Sequence, residues 1–256
     1  VKELNEIAKI MVAPKKGILA ADESNPTCGK RFDLINVEST EHNRRRYRNM
    51  LLITEGLEDY ISGVILFDET IKQNTKSGNS IPDLINQSGA VIGIKVDAGA
   101  KVLAGSPEEK VTEGLDGLRE RLTEYYKLGA RFTKRRAIYI ITEKYPSELA
   151  IKSNAHALAR YAALVQEANM VPIVEPEVLM DGDHDINKCY EVTGNVLKEC
   201  YKELKLHNVD LKGTILKPNM ILPGNMSQNK SNTEEIAKMT LKCLKENVPG
   251  EVPGIA

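Results

Sequence analysis

Short apolar runs alternate along this chain with longer stretches whose apolar residues recur at the helical period. The runs fall at 17–22, 61–67, 91–97, 131–139, 171–177 and 213–219. Near-continuous apolarity over such short lengths predicts parallel strands covered on both faces, because a strand with one wet face would alternate. Between the runs, Leu115, Leu118, Leu122 and Tyr125 follow a three-to-four-residue spacing and predict a helix over 112–128 that stops at Gly129. An Ala- and Leu-rich segment at 154–167 and a longer one at 185–206 predict two more. A fourth follows Ser231-x-x-Glu234, which has the form of a capping box. The N-terminus has an amphipathic, helix-like pattern, and 78–86 and 224–232 read as polar loops.

Strand, helix, strand repeated in this way predicts βαβ units with right-handed crossovers, hence an open doubly wound sheet or a (β/α)8 barrel. The polar residues decide between the two. Asp22, Lys95, Asp97, Lys134, Arg136, Glu175, Glu177 and Lys217 lie within or at the C-terminal ends of five different strand candidates. In a barrel those ends converge on one mouth, where active sites are built; an open sheet would spread them along an edge. The expected fold is therefore an α/β TIM barrel, with residues 1–256 as one domain, since barrels of this length form single units.

Lys217, in Gly213-Thr-Ile-Leu-Lys217-Pro-Asn219, ends an apolar strand. An ammonium is costly to hold there, and a neutral amine is the nucleophile that Schiff-base chemistry on a carbonyl requires. Lys95, Lys134 and Arg136 beside it are expected to bind phosphate and, with Lys217, to depress one another's pKa. Asp22, Glu175 and Glu177 are candidates for moving protons. A cluster of this kind is not expected for stability alone, since pairing only partly repays the desolvation of each charge.

Composition narrows the picture further. A chain that is 41% hydrophobic and 28% charged, with formal net charge -1, is that of a globular protein with no electrostatic reason to seek nucleic acid or an anionic membrane. Cys28, Cys189, Cys200 and Cys243 are scattered without paired or metal-ligand spacing, which suits a reducing, cytoplasmic setting. No apolar run approaches membrane-spanning length. Of the histidines, only His184 sits among acids, in Asp181-Gly-Asp183-His184-Asp185, and the segment reads as a turn into an Asp-capped helix rather than as a metal site. No metal or other cofactor is expected.

The motifs GILAADES (17–24), NRRRYR (43–48), GVILFDET (63–70), GIKVD (93–97), GLDGL (114–118), LARYA (158–162), VPIVEPE (171–177) and LKPNM (216–220) run in order along nearly the entire chain. Together they resemble class I fructose-bisphosphate aldolase. The resemblance implies a (β/α)8 barrel that reversibly cleaves fructose 1,6-bisphosphate to dihydroxyacetone phosphate and glyceraldehyde 3-phosphate without metal, usually as a cytosolic homotetramer in glycolysis. It implies Lys217 as the iminium-forming lysine, Glu175 as the acid/base of carbinolamine and iminium formation, and Glu177 as a second carboxylate near the lysines. It further implies Asp22 as the group assisting carbon-carbon cleavage and Lys134 as the charge beside the imine. Lys95 and Arg136, with Ser24 and Thr27, fall where the family holds the C6 phosphate, and Arg31 aligns with a basic residue at the mouth.

Two departures from the family pattern stand out. The sequence stops at Ala256, where the resemblance places a seventh strand, so the expectation is a barrel whose last strands and C-terminal tail are absent from this sequence. The family's Phe-Ala-Lys-Trp-Arg appears as Phe132-Thr-Lys-Arg-Arg136, and strand alternation predicts that Arg135 faces the helix layer, away from Lys134. These departures also raise a second expectation, a catalytically weak or inactive aldolase-fold protein with a binding or structural role. A transaldolase-like Schiff-base barrel is the nearest rival among enzymes.

Overall fold

A computed structural model describes residues 4–75 and 78–256. After helix α1 (Leu4–Met11), strand β1 (Gly17–Ala21) leads through α2 (Asn25–Asp33), α3 (Glu41–Leu52) and the short α4 (Leu57–Tyr60) into β2 (Ile61–Leu66). The chain continues through α5 (Asp68–Ile71) and α6 (Ile81–Gln87) to β3 (Val91–Lys95). A hairpin of β4 (Ala100–Leu103) and β5 (Ser106–Thr112) follows, then α7 (Leu118–Lys127), β6 (Phe132–Tyr139), α8 (Glu148–Glu167), β7 (Val171–Val178), α9 (Ile186–Leu206), β8 (Ile215–Leu216) and α10 (Thr233–Asn247).

The order β1-β2-β3-β6-β7-β8 makes a six-stranded sheet, parallel throughout, and an isolated parallel bridge joins Leu216 to Ile255 at its far side. The sheet curls as in a (β/α)8 barrel, open between β1 and the Leu216–Ile255 side.

Strand period sorts the side chains into two cores. One face packs on the helices: Val64, Leu66, Ile92, Ile94, Ala137 and Val174 join Leu158, Ala162, Val165, Val196 and Leu197. The concave face is smaller, with Ile65, Phe132, Ile173 and Ile215 packed on Ile7, Ala8 and Met11 of α1, which plugs the end where the strands begin. Gly93 lies at the narrowest point. A Cβ there would meet the Phe132 ring at 2.2 Å, so the residue is small because an aromatic occupies its space.

Several sequence expectations shift. The helix expected over 112–128 begins only at Leu118, because Thr112 closes the β4–β5 hairpin, and Gly114 and Gly117 take positive φ. That hairpin was not expected. The last strand is two residues, not 213–219: Leu211–Gly213 form a 3-10 turn capped by Asp210, and Pro218 has no N–H to extend the ladder. The loop expected at 78–86 contains α6, N-capped by Ser80, whose side chain accepts from the Asp83 amide. The cap of α10 is Asn232, accepting from Glu235 N at 2.8 Å, rather than Ser231. Asp185 does cap α9, as the DGDHD reading expects.

Candidate active site

The period of two that puts Phe132 and Ile173 on the concave face puts Lys134, Arg136, Glu175 and Glu177 on the same face, further toward the strands' C-terminal ends. Ile18 and Ala20 likewise lead to Asp22, Gly93 to Lys95, and Ile215 to Lys217. Register then sets the neighbours. Lys95 pairs with Lys134 and Arg136 with Glu175, while the Lys217 amide donates to Val174 O at 2.9 Å, bringing its side chain beside Glu175.

The result is a chain of alternating charges. Lys217 Nζ donates to Glu175 Oε1 at 2.5 Å, Lys134 Nζ lies 3.3 Å from Glu175 Oε2, and Lys134 Nζ donates to Asp22 Oδ2 at 3.0 Å. The Glu175 side chain is only 3% exposed, and that of Lys217 is 34% exposed, so the amine meets solvent while its partner is enclosed. Lys217 also lines a cavity of about 290 Å³ on the concave face with Ile18, Ala20, Ile65 and Ile173.

Lys134 does not titrate as the sequence led us to expect. Burial is the largest influence on it and pulls its pKa down, but Asp22 and Glu175 together outweigh burial and leave the pKa raised. It is held as an ammonium between two carboxylates, and the mutual depression expected of the clustered cations does not occur at this residue.

The remaining expected residues form a rim. Arg136 Nε donates to Glu177, which therefore faces a guanidinium rather than the lysine pair, and Lys95 Nζ lies 3.5 Å from Asp97 Oδ1. Ser24 is the N-cap of α2 without a capping bond; its hydroxyl meets that of Thr27 at 3.0 Å. Arg31 is exposed and pairs with Glu23.

Behind this rim lies a frame of arginine–carboxylate contacts that no sequence expectation included. Buried Arg48 donates to Glu23 Oε2 at 2.5 Å and to Glu23 O at 2.8 Å, and Tyr47 Oη reaches Glu23 Oε1 at 2.9 Å. Arg44 binds Glu69 through Nε and Nη2 at 2.8 and 2.6 Å, which raises the Arg44 pKa and lowers that of Glu69. These contacts tie NRRRYR to the AADES and FDET segments and so hold Asp22 in line. The signal was present in the motifs, but only the fold says which arginine meets which acid.

Arg135 points to the helix layer, as alternation predicts. It is 1% exposed and donates to Thr112 O and, at 2.9 Å, to Glu113 O, so a charged side chain fastens the β4–β5 hairpin to β6. Burial lowers its pKa.

A family model described as fructose-bisphosphate aldolase class-I matches residues 3–256. The chain belongs to the class I fructose-bisphosphate aldolase family. It is 56% identical over 255 residues to a probable fructose-bisphosphate aldolase class 1 of Xanthomonas campestris, covering 100% of this chain and 76% of that protein. It is 53% identical to a cytosolic fructose-bisphosphate aldolase of Arabidopsis thaliana, covering 99% of this chain and 64% of that protein. The Plasmodium falciparum aldolase, solved in complex with TRAP and a small-molecule inhibitor, superposes with a TM-score of 0.97 at 44% identity, covering 99% of this chain and 74% of that one.

This aldolase is a lyase that cleaves fructose 1,6-bisphosphate through a lysine Schiff base, a route that requires no metal. Among the described residues no helix is long and apolar enough to cross a membrane.

Proposed function

We propose that Lys217 is the Schiff-base lysine of this aldolase, that Glu175 moves its protons and that Asp22 drives bond cleavage. The observation that supports this most directly is the Lys217–Glu175–Lys134–Asp22 chain of contacts on the concave face. In the reaction, neutral Lys217 Nζ attacks the substrate's C2 carbonyl, and Glu175 protonates the departing hydroxyl so that water leaves and an iminium forms. Asp22 takes the C4 hydroxyl proton. The C3–C4 bonding pair moves into the iminium to give an enamine and release glyceraldehyde 3-phosphate. Protonation at C3 and hydrolysis then return dihydroxyacetone phosphate and the free amine. Lys134, kept charged by its two carboxylates, stabilises negative charge developing beside the imine.

Lys95, Arg136, Ser24 and Thr27 hold the C6 phosphate in this reading. Glu177 orients Arg136 at the rim, and Arg31 adds positive charge at the mouth. Residues 1–256 act as one domain, and the working protein is a cytoplasmic homotetramer whose partner is its sugar-phosphate substrate rather than nucleic acid.

The test is borohydride reduction in the presence of dihydroxyacetone phosphate, followed by peptide mapping. The adduct is expected on Lys217 and is expected to vanish in Lys217→Ala. An adduct of equal yield in that variant moves the nucleophile elsewhere.

A further inference from the structure

Helices α8 and α9 pack side by side in the outer layer, and their contact brings together three residues far apart in sequence, His156, Glu203 and His207. His156 Nδ1 lies 3.2 Å from Glu203 Oε2, and His207 Nδ1 lies 3.7 Å from the same oxygen. The two imidazole rings sit 5.0 Å apart at an interplanar angle of 68°. We infer that these three side chains form a binding site for a divalent transition-metal ion of the zinc and nickel class, separate from the aldolase active site.

Donor chemistry is the first argument. Two imidazoles and one carboxylate form a set that borderline ions prefer, whereas calcium and magnesium prefer all-oxygen sets. Spacing is the second. Ligands on a tetrahedral ion with bonds of about 2.0–2.1 Å stand roughly 3.3 Å apart, close to the His156–Glu203 separation already present. One ligand atom from each residue lies within 4.8 Å of the others, a gap that rotation of the exposed His156 side chain can close.

The surroundings supply the third argument. His207, the C-cap of α9, bonds through Nδ1 to the Glu203 carbonyl at 2.9 Å. A backbone acceptor of this kind fixes the tautomer of metal-bound imidazoles and leaves the lone pair on Nε2. Glu203 also lacks the lysine or arginine partner that several enclosed acids have among the described residues. Its side chain is 15% exposed, and among the described residues both its ion-pair partners are histidines, whereas Glu23, Glu69 and Glu175 each face an arginine or lysine. Lys202, the residue before Glu203, pairs with Glu199 instead. Among the described residues no lysine or arginine pairs with this carboxylate, and a dication supplies that positive charge.

The site lies at the end of α9 from which the chain re-enters the sheet, opposite the strand ends that carry Lys217. An ion here staples α8 to α9 and takes no part in the lysine chemistry.

The test uses the whole chain, stripped with a chelator and titrated calorimetrically with Zn²⁺ and then Ni²⁺. A single-ion binding step is expected, weakened about tenfold or more in His156→Ala, His207→Ala and Glu203→Gln, and unchanged in His42→Ala. Zn²⁺ is also expected to raise the melting temperature of the unmodified chain but not of His207→Ala, because an ion that binds the folded state stabilises it. Circular dichroism checks that each variant is folded. No Zn²⁺ uptake, or equal uptake by all the variants, would leave only an ordinary pair of surface histidines hydrogen-bonded to Glu203 and would overturn the inference.

Discussion

Lys134 carries the clearest residue-scale consequence. Its ammonium lies between Asp22 and Glu175, and removing it leaves the enclosed Asp22 carboxylate without its cation and Glu175 with Lys217 alone. Lys134→Met is expected to lose about 10²-fold or more in kcat, in the range typical of a positioned acid or charge. Breaking one side of a buried ion pair is expected to cost about 3–5 kcal/mol in urea unfolding. The pH dependence has a definite sign. The folded-state pKa is raised above the ordinary lysine value of 10.5, so the ammonium's contribution to stability is complete below that value and is lost as pH climbs through the folded pKa. Unfolding free energy measured from pH 9 upward is therefore expected to fall more steeply in the parent than in Lys134→Met, and parallel curves would contradict this assignment.

At the scale of elements, alternation along each strand carries the site. Phe132, Lys134 and Arg136 share a face because they are two residues apart; Thr133 and Arg135 share the other, where Tyr161 Oη meets Thr133 Oγ1 at 2.7 Å. This much was legible, because a period of two needs no partner to be read. Where elements end was less legible, since ends depend on partners. Thr112 belongs to a hairpin only because β4 lies opposite, and Asn154 reinforces that strand by donating to Lys110 O at 2.8 Å.

The Gly93–Phe132 contact is a further element-scale property. Gly93→Ala is expected to destabilise by about 1–3 kcal/mol, as overpacking does. Phe132→Leu in the same chain is expected to recover part of that loss, since the two positions compete for one space. Denaturant titration of the four corners of this cycle measures the coupling, and additive effects would mean that the contact carries no strain.

The whole molecule divides its labour between the two ends of the sheet. The charged cluster sits where the strands end, and α1 closes the opposite end through Ile7, Ala8 and Met11. Met11→Ala, at a side chain 1% exposed, is expected to cost about 2–5 kcal/mol of stability, the usual range for emptying a packed core site. At temperatures where the variant remains folded, its KM for fructose 1,6-bisphosphate is expected to stay at the parent value, because Met11 belongs to the plug rather than to the polar cluster. A large change in KM would show the two ends to be coupled.

The sequence alone determined what depends on local pattern: six parallel strands, the helices between them, and a row of charges at the strands' C-terminal ends. It also placed Lys217 at a strand end and Arg135 behind the sheet, because strand geometry sends neighbouring side chains to opposite faces. Only the tertiary structure decided the pairings. Burial and two opposing carboxylates, from β7 and from the end of β1, leave Lys134 charged, which no single segment encodes. Glu177 turned to Arg136, and Glu23 gathered Arg31, Tyr47 and Arg48. His156 met His207 across two helices for the same reason: contacts between distant segments are set by packing and register, which exist only once the chain has closed on itself.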